Sequence, residues 1–228
     1  RFRTCRDVRL QGFFGGLFGG GKQPDAEPQA EIIPEEELPF PIELLDDTFL
    51  RGRDLARAYR ASEDGFDALV FHGLVDFKGP CMIYAETTDG VRFGGFNSEG
   101  FSSSDDYAAS FKAFLYCWPQ GCEEPVVLKK VGGPEAALFD YARGGPKWGA
   151  EGLTIGPPMA PVMGGFAGPD GGVDGAGNLK TAKCSLGQAY EMIPPEYGQR
   201  SLFGGAATDA TLREVEVYYA PELAKLYR

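Results

Sequence analysis

The side chains best suited to chemistry are one histidine and five cysteines. His72 is the single histidine in 228 residues, so a catalytic or metal site assembled from several histidines is excluded. It stands among Asp64, Asp67 and Asp76, carboxylates that suit acid–base work once a partner and a pocket hold them. A structural reading competes and is the one we favour. In it His72 ties a helix end to the loop Lys78-Gly79-Pro80, while Asp64 and Asp76 cap or turn. The cysteines, Cys5, Cys81, Cys117, Cys122 and Cys184, are odd in number and scattered. A zinc ribbon needs two close pairs, and only Cys117/Cys122 is close. With Trp118-Pro119-Gln120-Gly121 as a turn between them, these two thiols can approach as a redox pair. Free and largely buried thiols of a reducing compartment are the other reading. Glu214 and Glu216 share one strand face, which suits a cation or plain solvent. Gly94-Gly95 lacks the Lys, Ser/Thr and following helix of a phosphate loop, which leaves close strand packing. These groups yield no catalytic, cofactor or metal site, and the chain reads as a non-enzyme.

Elements must position any of these groups. The chain holds 33 Gly and 17 Pro, too many for a helical bundle and suited to short strands with many turns. Residues 42–59 form the clearest helical candidate, with Leu44, Leu45, Phe49, Leu55 and Tyr59 near helical spacing and Gly52 interrupting. Residues 67–74 predict a second, short helix with Phe66, Leu69, Val70 and Leu74 on its apolar stripe. Strands follow. Asp89-Gly90 between the runs 81–87 and 91–96 is a strong hairpin signal. Further strands are expected at 111–117, 126–131, 137–142, 153–155, 186–192 and 214–219. The last of these alternates strictly, valines inward and glutamates outward, as a half-buried strand does. Residues 164–178 form a glycine-rich loop. No βαβ rhythm appears, so antiparallel sheets packed face to face are favoured over doubly wound ones.

Charge divides the chain. The total is −11, which disfavours nonspecific nucleic-acid binding because phosphates would be repelled. Residues 1–22 carry Arg1, Arg3, Arg6, Arg9 and Lys22 against Asp7, a local +4. Residues 23–50 carry nine acids and no base, a local −9, leaving −6 for the rest. The chain opens on Arg1 and not Met, as a processed or trimmed chain would. Among the bases lie Phe13, Phe14, Leu17 and Phe18, set in glycines that hold neither helix nor strand alone. Aromatic groups on such a segment suit an exposed leader, or an anchor that orders when its rings find grooves on a partner. The stretch is similar to the start of mature plastid proteins in algae with complex plastids. Residues 23–41, acidic and proline-spaced, read as an extended linker. No window is long and apolar enough to be a transmembrane helix.

The ordered blocks Tyr59-Arg60-Ala61-Ser62-Glu63-Asp64-Gly65-Phe66, Phe71-His72, Asp76-Phe77-Lys78-Gly79-Pro80 and Phe93-Gly94-Gly95-Phe96-Asn97-Ser98 lead into Ser110-Phe111-Lys112-Ala113-Phe114-Leu115. Gly145-Pro146-Lys147-Trp148-Gly149, Leu153-Thr154-Ile155 and the run from Leu212 to Tyr218 complete the set. In this order the blocks resemble the TLDc domain family over about residues 55–219. Val75, Cys81 and Phe101 depart from the family's usual residues. The resemblance implies an α+β fold: a two-sheet antiparallel β-sandwich with flanking short helices. It also implies oxidation-resistance biology, regulation of the vacuolar proton-pumping ATPase by some members, and no agreed catalytic constellation.

The expected organisation is therefore an N-terminal arm and acidic linker, 1–41, followed by a TLDc-like domain, 42–228. The expected function is that of a non-catalytic interaction protein, a peripheral subunit on a large membrane-associated complex. Partner contact is expected from Phe13, Phe14, Leu17 and Phe18, with Arg1, Arg3, Arg6 and Arg9 supplying charge. The expected setting is the plastid stroma, at the thylakoid surface, on a photosystem-like complex. A cytosolic regulator of the vacuolar ATPase and a thiol antioxidant using Cys117 and Cys122 are the alternatives.

Overall fold

The computed structural model describes residues 30–157, 161–162, 165–166 and 177–227. The arm residues singled out above, Arg1 to Phe18, and most of the glycine-rich loop lie outside the described residues.

In chain order the strands are β1 (Ile32–Ile33), β2 (Leu55–Arg60), β3 (Cys81–Thr87), β4 (Arg92–Asn97), β5 (Asp106–Ala108), β6 (Phe114–Cys117) and β7 (Val126–Lys129). They continue as β8 (Leu138–Asp140), β9 (Lys147–Trp148), β10 (Leu153–Ile155), β11 (Pro161–Val162), β12 (Gly165–Phe166), β13 (Thr181–Cys184) and β14 (Asp209–Tyr219). Three short helices accompany them: α1 (Ala61–Asp64), α2 (Ala68–Val75) and α3 (Pro221–Ala224). All strand pairings between these elements are antiparallel. The expected mostly antiparallel β-fold with few short helices is what the chain adopts.

The sheet order explains how the site residues are brought together. Hydrogen bonds run β5-β8-β9-β10-β13-β14-β3-β4-β6-β7, with β1-β2 joined to β14 as a side branch. β14 is the hinge of this network. Its first residues pair with β13, its later ones with β3 on one edge and β2 on the other. Two wings thus share one long strand, an arrangement compatible with a β-sandwich but linked by hydrogen bonds into a single sheet.

Alternation along the strands decides which core each side chain enters. Ile83 and Ala85 of β3, Phe93 of β4, Leu115 of β6, and Val215 and Val217 of β14 meet Trp148, Leu153, Ile155 and Ala182 of the other wing in one buried cluster. The intervening residues, Met82, Tyr84, Phe96, Phe114, Tyr116 and Tyr218, face the opposite way. There Phe40, Leu44, Leu45 and Leu50 cover them. Residues 30–41, read as a linker, thus contribute both a strand, with Ile32 opposite Ala56, and the buried Phe40.

Three expectations about elements are corrected. Residues 42–59 are not a helix: Ile42–Leu45 is one 3-10 turn and Leu55–Arg60 is strand β2. The spacing of Leu55 and Tyr59 is helical, but pairing with β14 decides it, and a bulge opposite Val217/Tyr218 sends the two into opposite cores. Residues 186–192 form no strand among the described residues beyond a bridge at Tyr190, while β13, Thr181–Cys184, was missed. Phe111 does not belong to β6, and its ring is 84% exposed. The second helix does form, capped by the Asp67 carboxylate, which accepts from Leu69 N (2.8 Å) and Val70 N (3.0 Å). Of its expected stripe, Phe66 and Leu74 do pack on the core, but Leu69 and Val70 do not. Ala68, Phe71, His72 and Val75 are buried, and Leu69 and Val70 face outward.

Candidate functional site

His72 projects from α2 into the core beside Phe71 and Phe101, and it is 5% exposed. Both ring nitrogens are engaged. Nδ1 lies 2.8 Å from Asp76 Oδ1, one helical turn on. Nε2 lies 2.8 Å from the Tyr141 carbonyl and 3.2 Å from that of Gly144. Carbonyl oxygens only accept, so Nε2 carries a proton, and the Asp76 carboxylate calls for a second on Nδ1. The geometry therefore suits the imidazolium. Burial alone lowers the His72 pKa, but hydrogen bonding and charge from Asp76, and charge from Asp140, hold it above its ordinary value. The structural reading of His72 holds, with a corrected partner: it ties α2 to the loop 141–144, not to Lys78-Gly79-Pro80.

A serine loop closes the other side of this pair. Ser103 Oγ donates to Asp76 Oδ2 at 2.5 Å. Ser102 and Ser104 each donate a backbone N–H to Asp140 Oδ2 at 2.9 Å, and their hydroxyls reach the same oxygen at 3.2 and 3.1 Å. Holding this turn requires positive φ at Ser103 (56°) and Asp105 (54°), costly for residues with a Cβ. Asp140 Oδ1 is buried and makes no hydrogen bond to the described residues. No sequence motif flags Asp140, which sits inside β8. Only its exceptional place, a carboxylate within an apolar run, hints at it. Asp64 turns the chain, accepting from Arg60 N at 2.8 Å. His72 and its carboxylates are thus a filled clamp, with no ring nitrogen left for proton transfer.

The glutamates of β14 are a correction. They lie opposite the valines, as expected, yet water does not bathe them: Glu214 is 9% and Glu216 6% exposed. Arg60 Nε approaches Glu216 Oε1 at 3.1 Å and Glu214 Oε2 at 3.4 Å. Ser62 N and Val215 N donate to Glu214 Oε1, and Tyr218 Oη donates to Glu216. The cation that this face accepts is the guanidinium of Arg60.

Gly94 and Gly95 pack as read. A Cβ on Gly94 would lie 2.0 Å from the Ile83 carbonyl oxygen, and one on Gly95 would lie 2.6 Å from the Trp148 ring. Cys117 is buried in β6, and burial pushes its thiol up to about 12, leaving almost no thiolate near neutral pH. Cys122 is half-buried and Cys184 is buried, its thiol raised to about 11 by the same cause. All four described cysteines are free thiols. Among the described residues no group of three or more His, Cys, Asp or Glu is arranged to hold a metal ion. Nor is any helix there long and apolar enough to cross a membrane.

The remaining candidates are surfaces. Phe111 stands beside a cavity of about 340 Å³ bounded by the 3-10 turn and by β6 and β7, with Lys112, Lys129 and Lys130 on its wall. Phe49 is half exposed on the adjoining groove. Leu69 (58% exposed), Val70 (39%) and Phe77 (53%) mark the outside of α2. These side chains present apolar contact surface among the described residues.

A family model described as the TLDc domain matches residues 29–219. No curated protein matches the chain.

Proposed function

Because this chain belongs to the TLDc domain family, we propose that it is a non-catalytic interaction protein, held as a peripheral subunit on a large membrane-associated complex. One observation carries the reading: most of the described groups best suited to chemistry are occupied in holding the fold. His72 is bonded at both ring nitrogens, Glu214 and Glu216 are paired with Arg60, and the Cys117 thiol is buried. Large apolar side chains are meanwhile left in water on Phe111, Leu69 and Phe77. Such surfaces serve recognition.

The fastening is assigned to the arm, with Phe13, Phe14, Leu17 and Phe18 as anchors and Arg1, Arg3, Arg6 and Arg9 as charges. The setting proposed is the stromal face of a thylakoid complex of the photosystem kind, on the likeness of the Phe/Gly-rich stretch to mature plastid proteins. The test is deletion of residues 1–22 in cells. Loss of co-purification with thylakoid complexes, with the circular dichroism of the domain unchanged, is the expected result. Undiminished co-purification sinks the docking assignment. Fractionation with vacuolar membranes would instead support a regulator of the vacuolar ATPase.

A further inference from the structure

α2 is apolar on both sides. Its inner face is buried against β2, where the Tyr59 and Phe71 rings meet edge to face at 5.2 Å. Its outer face, Leu69, Val70 and the exposed Gly73, continues into Phe77 one turn further on. Phe77 is held there at φ 60°, its N–H donating to the Phe101 carbonyl at 2.8 Å. A large apolar residue kept both strained and half in water points to a use for that position.

The head of α2 is bridged to Asn178, with Ala68 N donating to the Gly177 carbonyl at 3.0 Å, and β1 indicates where the arm joins the domain. β1 runs antiparallel to β2, with Ile33 opposite Leu55 and Ile32 opposite Ala56. Extending that register sets Ala30 across from Ala58 and aims the preceding chain toward Tyr59, α1 and α2. Ala30 packs on the same core cluster as Phe71 and Leu74. The segment so aimed contains the four apolar residues Phe13, Phe14, Leu17 and Phe18. Eleven residues separate Phe18 from Ala30. They span up to about 40 Å when extended, whereas an eight-residue helix is about 12 Å long. Charge agrees. Glu63 is already paired with Arg57 and Arg60, but Asp64 and Asp67 at the head of α2 form no ion pair among the described residues. The arm brings Arg1, Arg3, Arg6 and Arg9.

We infer that the outer face of α2, with Phe77, is the resting seat of this chain's own aromatic segment, Phe13 to Phe18. The arm then covers its apolar side chains on the domain until a partner competes for them. Seating is a property of the free chain and does not depend on the complex reading above.

The experiment uses the full chain alone. A photo-crosslinker, benzoylphenylalanine, replaces the exposed Leu69, and equal amounts of ¹⁵N-labelled and unlabelled chain are mixed before irradiation. Cross-links from position 69 to residues 10–22 of the same copy are expected. Cross-links between copies would make a second chain the occupant and overturn the inference, as would the absence of any link to residues 10–22. Independently, hydrogen exchange is compared between the chain and its Phe13→Ser, Phe14→Ser, Leu17→Ser, Phe18→Ser variant. Amides 69–77 should exchange about tenfold faster in the variant, with β3 and β14 unchanged. Equal exchange at 69–77 would also overturn it.

Discussion

At the residue scale, the histidine decides the most. Its structural role is legible in the sequence because a lone histidine beside aspartates cannot build a multi-histidine site. Its true partners are not legible, since the Tyr141 and Gly144 carbonyls lie about seventy positions away in sequence. The same limit hides Asp140. Titration makes the assignment testable. The folded-state pKa of His72 is raised above its unfolded value of about 6.5. A raised basic group contributes stability that is fully present below the unfolded pKa and is lost as pH rises through the folded one. The protein should therefore be more resistant to urea at pH 6 than at pH 8, through this pair. His72→Gln should cost about 2 kcal/mol at pH 6, because the half-buried Asp76 is left without its cation. It should also shrink the difference between the two pH values. A variant with the same pH dependence as the parent would show that His72 is not the buried cation.

At the element scale, local pattern and long-range pairing compete, and each wins in places. The hairpin β3–β4 is legible because Asp89-Gly90 punctuates two apolar runs, and the register bears it out with Ala85 opposite Phe93. β2 is not, because Leu55 and Tyr59 stand at helical spacing while a bulge in its pairing with β14 sends them into opposite cores. β13 shows the strand period in its burial, Ala182 and Cys184 inward and Thr181 and Lys183 outward. At four residues the alternation is too short to stand out from loop sequence. The outward glutamates of β14 were legible by face but not by environment. A second layer, built by Phe40, Leu44 and Leu45, reaches that side of the sheet. The glycine pair is the place where element packing is tightest. Gly94→Ala sets a methyl 2.0 Å from the Ile83 carbonyl on the neighbouring strand, where no rotamer change relieves it. The substitution should cost at least about 3 kcal/mol, the upper end of ordinary overpacking, read as a lowered melting temperature. Gly90→Ala, whose methyl would meet nothing nearer than 3.8 Å, carries only the cost of its φ of 82°. It should be clearly the milder of the two, and the reverse order would show that the β3–β4–β6 contact is looser than described.

At the scale of the whole molecule, β14 makes the two wings interdependent. One strand cannot keep its pairing to β3 and β2 while losing β13 without exposing Val215 and Val217 on the shared core. Trp148 adds a second tie, since it belongs to β9 yet donates its indole N–H to the Phe96 carbonyl on β4 at 3.1 Å. Two wings joined this way should unfold together. The two tryptophans report on them separately: Trp118 follows β6 and stacks over Arg92, and Trp148 lies in the other wing. In Trp118→Phe and Trp148→Phe single-tryptophan variants, the remaining fluorescence and the far-ultraviolet dichroism should follow one urea transition. Comparing each variant with its own dichroism removes the stability lost by the substitution itself. Trp148→Phe is expected to be the less stable variant, because it empties part of the shared core and frees the Phe96 carbonyl. If Trp148 fluorescence in the Trp118→Phe variant changed at lower urea than the dichroism, the wing β5-β8-β9-β10-β13 would be a separately unfolding unit. The surface of α2 would then loosen with that wing, because His72 ties α2 to the loop 141–144 between β8 and β9 and Asp67 is bridged to Asn178 ahead of β13. Coincident transitions instead bind the stability of the α2 surface to every strand that β14 joins.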